Sequence, residues 1–208
     1  MVDPFYSPPY RFLALGNSYT IGTGVPAAES WPRKLMSLVR DAGVSVEDPR
    51  IIAQNGWTSA DLMNTLESTK LPGSFHLVSL QIGVNDQYDG VPVDEYREHF
   101  GTLLEKTLSF TAGDPTRVIV LSIPDWSVTP FAKGRDQVQI RAEIEHFNNI
   151  NRHLTKTKGA RYVDITPLSR RVREAKAFLA DDGLHFSGKM YQIWGETVLP
   201  VVLDRLTK

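Results

Sequence analysis

The sequence contains no cysteine. That excludes disulfides, thiolate metal sites and a cysteine nucleophile. No apolar run approaches the ~18 residues that a membrane-spanning helix needs. The polar, proline-rich start, Met1 to Pro9, has no basic segment followed by an apolar one, so no secretory leader is expected and cytoplasmic residence is the default. Net charge is also missing: 23 Lys and Arg stand against 24 Asp and Glu, a balance of −1. A near-neutral chain gives no reason to expect a nucleic-acid partner. Repeats, low-complexity tracts and linkers are absent as well, so residues 1–208 are expected to form one domain. No marker of a particular oligomeric state appears.

What is present is an alternation of short apolar runs and amphipathic stretches. Phe12 to Leu15 reads as a buried strand, and Gly16 breaks it. Ser30 to Gly43 reads as a helix, with Pro32 in its first turn and Gly43 past its end. Arg50 to Ala53 is a second strand, Thr58 to Glu67 a second helix, and Phe75 to Gly83 a nearly continuous apolar third strand. A long helix over Asp94 to Phe110, a strand over Arg117 to Ile123, and a helix over Asp136 to Thr157 follow. The pattern closes with a strand over Ala160 to Ile165, a basic helix over Pro167 to Lys176, and a last helix from Ser187 to Leu206. Ser187 would cap that helix, and Pro200 would kink or end it. Alternation of this kind predicts a parallel sheet with helices on both faces and right-handed crossovers.

In such a sheet, sites form beyond the carboxyl ends of the strands. The residues delivered there are informative. The first strand presents Ser18 after a glycine turn, the second Gly56, the third Asn85, and the last loop Asp182 and His185. Each alone has a plain structural reading. Ser18 could cap a backbone N–H, Gly56 could serve a turn, Asn85-Asp86 could form an Asx turn, and Asp182 to His185 could be a loop leading into a helix. Together they supply what acyl transfer needs. A serine hydroxyl needs a base, an imidazole can act as one near neutral pH, and a carboxylate three residues before it can hold the ring.

The blocks Gly16-Asn17-Ser18-Tyr19, Asn55-Gly56-Trp57, Gly83-Val84-Asn85-Asp86 and Asp182-Gly183-Leu184-His185 resemble, in order, those of the SGNH (GDSL-type) hydrolases. The resemblance runs from the first strand to the last helix. With it comes the expectation of a three-layer α/β/α sandwich, flavodoxin-like, whose five-stranded parallel sheet has strand order 2-1-3-4-5. It implies a catalytic set of Ser18, Asp182 and His185. It also implies an oxyanion hole from the backbone N–H groups of Ser18 and Gly56 and the side-chain amide of Asn85. Gly56 would let the chain approach without a Cβ in the way. Asn17 departs from the aspartate of the family; it keeps the size and local hydrogen bonding and loses a charge.

The expected activity is that of a serine esterase acting on a small-molecule acyl ester through an acyl-enzyme. Lysophospholipid and thioester hydrolysis are extensions consistent with the family. A carbohydrate O-acetyl esterase is the alternative, and a non-catalytic binding protein that keeps the fold is the rival from another class. No cofactor is implied, and no histidine has metal-ligand spacing. Tyr19, Trp57, Tyr88, Trp126 and Phe131 are candidates for the pocket wall, where aromatic faces would suit an acyl chain, an aryl ester or a sugar. Asp125, also at a strand end, is a rival carboxylate. Arg170-Arg171-x-Arg173 and Lys133-Gly134-Arg135 are basic clusters that read as solvated faces, with attraction of an anionic substrate as the lesser alternative.

Overall fold

The structure, a computed structural model, describes residues 9–71 and 73–207. The stretch before Pro9, read above for a leader, and Pro72 lie outside the described residues.

Five parallel strands form one sheet in the order β2-β1-β3-β4-β5. They are β1 (Phe12–Gly16), β2 (Arg50–Ala53), β3 (Leu77–Gln81), β4 (Val118–Leu121) and β5 (Arg161–Val163). The middle strands β1, β3 and β4 are buried throughout, which is why their sequences are almost unbroken apolar runs. The outermost strands β2 and β5 expose Arg50 and Arg161.

Right-handed crossovers decide which face each helix covers. The step from β1 to β2 runs one way across the sheet, and it carries α2 (Trp31–Asp41). All later steps run the other way and carry α3 (Ser59–Ser68), α5 (Val93–Ser109) and α6 (Gln137–Thr157). In agreement, α2 packs against α8 (Gly188–Leu206), while α5 packs against α3 and α6. The short helices α1 (Ser18–Ile21), α4 (Val84–Tyr88) and α7 (Thr166–Ser169) follow the carboxyl ends of β1, β3 and β5. The direction of travel reverses between β1 and β3, so α1 and α4 flank the crevice that the topology opens there.

The crevice is anchored from below. Gly83, between β3 and α4, has φ +116°, a conformation that only glycine adopts without strain. A Cβ there would lie 2.8 Å from Ile123 Cδ1 and 2.9 Å from Tyr96 Cζ. Tyr96 is fully buried, stacks on Phe147 with ring centroids 4.2 Å apart, and donates its hydroxyl to Asn151 at 2.8 Å. Burial raises its phenol pKa, with the Asp86 charge adding to the shift.

Two helical expectations need correction. The basic segment after Pro167 is not one helix. It is a single α turn to Ser169, then 3₁₀ turns at Arg170–Arg173 and Lys176–Phe178. Within Arg170–Arg173 only Val172 is buried, so no apolar stripe drives a longer helix. The last helix, by contrast, continues through Pro200 to Leu206, because Val198, Val202 and Leu206 bury on both sides of it. Ser187 precedes α8 without capping it; its hydroxyl donates to the Ala177 carbonyl at 2.6 Å.

Gly83→Ala is expected to cost about 2–4 kcal/mol in urea unfolding, combining positive-φ strain with overpacking. Gly43→Ala, at φ +84° with nothing within 4 Å of its Cβ position, is expected to cost about 1 kcal/mol. Equal losses for the two would remove the close-contact argument.

Candidate active site

Ser18 is the first residue of α1. Asn17 caps that turn, its Oδ1 accepting the Tyr19 N–H at 3.2 Å. The cap needs a side-chain oxygen and no charge, so asparagine serves the local geometry that the family's aspartate serves. The first intrahelical bonds are donated by Thr20 and Ile21 to the Asn17 carbonyl. The Ser18 N–H therefore stands outside the helix ladder, as a first-turn amide does. Gly22, left-handed at φ 84°, ends the turn.

The Asp182–His185 loop is closely tied. Asp182 Oδ2 lies 2.6 Å from His185 Nδ1, while Asp182 Oδ1 accepts the N–H groups of Leu184 and His185, both at 2.9 Å. Burial pushes the Asp182 carboxyl upward, but these hydrogen bonds outweigh it and hold the group below its ordinary pKa. A carboxylate on Nδ1 fixes the tautomer and leaves Nε2 as the other ring nitrogen. The Tyr19 ring meets the imidazole edge to face at 5.5 Å and also packs on Phe186 and Trp194. Burial, then the charges of Asp182 and Asp125, raise the Tyr19 phenol pKa. The loop is also joined to the segment carrying Phe131, whose N–H donates to the Gly183 carbonyl at 3.1 Å.

Two bridges bind the loop after β2 to α4. Asn85 Nδ2 donates to the Trp57 carbonyl at 2.8 Å, which orients the carboxamide and leaves its second N–H. Asp86, fully buried, accepts the Ser59 N–H at 3.0 Å and the Ser59 hydroxyl as well. Burial raises the Asp86 pKa against those two bonds. Asp86 thus ties α4 to the start of α3, which is more than the local Asx turn considered from sequence. Gly56 immediately precedes the bridged Trp57, at φ 82°, and an added Cβ would meet nothing within 4 Å. Backbone conformation, rather than crowding by the protein, is what calls for glycine there.

Ser18, Gly56, Asn85 and His185 line one cavity of about 220 Å³, with Tyr19, Tyr88, Trp126 and Phe131 along its walls. Trp57 is the exception among the aromatic candidates. It packs half-buried on the core and contributes only its carbonyl, to Asn85. Sequence reasoning missed Asn55, Val84 and Leu184, which also line the cavity. Each is a spacer within or beside a motif block, so the signal was adjacency to residues already singled out.

Asp125 is not at the imidazole. It is fully buried, 2.8 Å from Arg170 and 3.3 Å from Arg141, and its Oδ1 accepts the Ser127 N–H. It anchors the loop that carries Trp126 and Phe131. Arg170 also pairs with Glu145, and Arg171 with Glu174, so these members of the basic cluster serve internal pairing. Among the described residues, no group of three or more His, Cys, Asp or Glu could hold a metal ion, and no helix is long and apolar enough to cross a membrane.

The fold is shared with known proteins. The structure is similar to that of TesA, with TM-score 0.73 and 19% identity, covering 94% of this chain and 99% of that one. It is similar to a lipase/acylhydrolase from Enterococcus faecalis, with TM-score 0.71 and 21% identity, covering 95% and 97%. It is also similar to Axe2, an acetylxylan esterase from Geobacillus stearothermophilus, with TM-score 0.68 and 18% identity, covering 96% and 94%. No curated protein matches the sequence. At these identities the structural likeness speaks for the fold. The family model of the GDSL-like lipases and acylhydrolases matches residues 14–193, and the chain belongs to that family of hydrolases.

Proposed function

We propose that the protein is a serine esterase that hydrolyses small acyl esters through an acyl-enzyme. The observation that carries the reading is the opening of Ser18, His185 and Asn85 onto one cavity, with Asp182 on the far nitrogen of the imidazole.

In the proposed reaction Ser18 Oγ attacks the ester carbonyl carbon while His185 Nε2 takes the hydroxyl proton. The carbonyl oxygen becomes an oxyanion held by the Ser18 and Gly56 N–H groups and the second N–H of Asn85. The carbon–alkoxy bond then breaks, and the alcohol leaves with the proton from His185. Water repeats the sequence on the acyl-enzyme, releasing the acid and restoring Ser18. Asp182 stays ionised and stabilises the imidazolium at each stage.

The cavity, about 220 Å³, lies below the size usual for drug-sized ligands. It favours a short acyl group over a full lysophospholipid chain. A sugar O-acetyl ester is the second reading, favoured by the same small volume, and one similar structure is that of an acetylxylan esterase.

Ser18→Ala is expected to abolish hydrolysis of 4-nitrophenyl butyrate, and a serine-reactive phosphonate is expected to label Ser18 in the unaltered protein. One similar esterase structure, EstA from Pseudoalteromonas, is described as inhibited by monoethylphosphonate. Full activity in the variant, or labelling at another residue, would sink the assignment. Asn85→Ala is expected to lower kcat about 10²–10³-fold, and Asp182→Asn about 10⁴-fold, both read by steady-state kinetics. Losses under threefold in either would dismiss the role given to that residue.

A further inference from the structure

Aromatic residues line part of the cavity. Tyr88 and Trp126 line the cavity and also line a second groove of about 310 Å³. That groove also includes Arg135, Gln139, Ile140 and Glu143. Both spaces thus share these two residues, and Phe131 lies beside them at centroid distances of 6.2 Å from Tyr88 and 5.9 Å from Trp126.

The two rings are held differently. Trp126 is 2% exposed, and its indole N–H donates to Gln87 Oε1 at 2.8 Å. Gln87 in turn donates to Glu143 at 2.8 Å. Trp126 is thus fixed by burial and by a chain of hydrogen bonds. Tyr88 is 46% exposed and sits at the end of α4. Its hydroxyl accepts from Arg135 at 3.1 Å. The same guanidinium carbon lies 5.1 Å from the Tyr88 centroid, 5.6 Å from Trp126 and 5.2 Å from Phe131. Such cation–π contacts are weak at exposed sites. Among the described residues Arg135 has no carboxylate within ion-pair distance, so its contacts go to the ring wall. The basic cluster around Arg135 is therefore partly accounted for as a brace.

We propose that Tyr88, braced by Arg135, is the residue that sets acyl-chain length: it closes the far end of the acyl pocket, and its removal joins the pocket to the groove behind it. The proposal rests on the esterase reading above and adds to it which residue limits the substrate. The wall stops chains beyond a few carbons, and Tyr88 is its loosely held part. Arg135 touches the wall from outside, which makes it a positioning residue.

The test uses 4-nitrophenyl esters from acetate to decanoate, with the leaving group constant. The readout is the ratio of kcat/KM for octanoate to that for butyrate, which a simple loss of folded protein does not change. Tyr88→Ala is expected to raise the ratio tenfold or more, since space for even one methylene discriminates by about that much. Arg135→Met, which keeps the stem and removes the charge and the donor, is expected to raise it about threefold. A ratio within twofold of the unaltered protein in Tyr88→Ala, with butyrate hydrolysis still dependent on Ser18, overturns the proposal and leaves the esterase reading standing. A second series, with butyrate fixed and the alcohol lengthened, checks the direction of binding. A change confined to that series places the alcohol at Tyr88 and also overturns the proposal. Absence of Ser18-dependent hydrolysis of every ester in the unaltered protein is the distinct outcome that removes the esterase reading itself.

Discussion

The arrangement depends on a constraint of chain direction. All five strands run the same way, so every strand-to-helix turn opens on one edge, and right-handed crossovers force the helices on either side of the β1–β3 boundary to opposite faces. A gap between two such turns follows from geometry without any special sequence. What the sequence adds is the chemistry of the turns. A capped serine sits on one side, a carboxamide on the other, and a loop from far along the chain brings an acid–base pair over the gap.

The turns are also joined to each other. Asn85 reaches the Trp57 carbonyl and Asp86 accepts from Ser59, so two bridges join the segments that follow the second and third strands. Asp86 is a costly group to bury, and its raised pKa reflects that cost. Its two bonds to Ser59 offset desolvation and fix the register of one loop against the other. On the far side, Asp125 does similar work. Held by Arg141 and Arg170, it keeps the aromatic loop against the sheet. Buried carboxylates thus support the site from two directions while the exposed one, Asp182, faces the imidazole.

The fold was legible because its signals are local and redundant. Apolar runs, glycine breaks and helix caps all indicate alternation, and three of the four motif blocks fall at strand ends, the fourth in the loop before α8. Ser18, Gly56 and Asn85 are legible at the cavity for the same reason, since topology collects strand ends, while His185 is legible only from its motif block. The misreadings share another cause. Trp57, one of five aromatic candidates for the wall, packs instead on the core, because a side chain's direction depends on the turn's backbone. The segment after Pro167 looked helical by composition, yet helix length is decided by an apolar stripe that it lacks. Of the two outcomes expected at Pro200, a kink or an end, the end does not occur, because packing on both sides carries α8 through it. The brace from Arg135 to three rings was invisible because it joins residues on separate elements with no spacing rule.

The hydrogen bond from the Phe131 amide to the Gly183 carbonyl, with Pro130 Cβ 3.5 Å from where a Gly183 Cβ would stand, joins two segments that are usually treated as independent parts. One carries Phe131 on the cavity wall and the other carries the hydrogen-bonded Asp182–His185 pair. On the proposed esterase reading, the part that would select the acyl group and the part that would move the proton share this contact. Loop grafts that exchange residues 129–135 for those of a relative would carry the relay's geometry with them, and reshaping by side chain on an unchanged main chain is the safer route to a new preference.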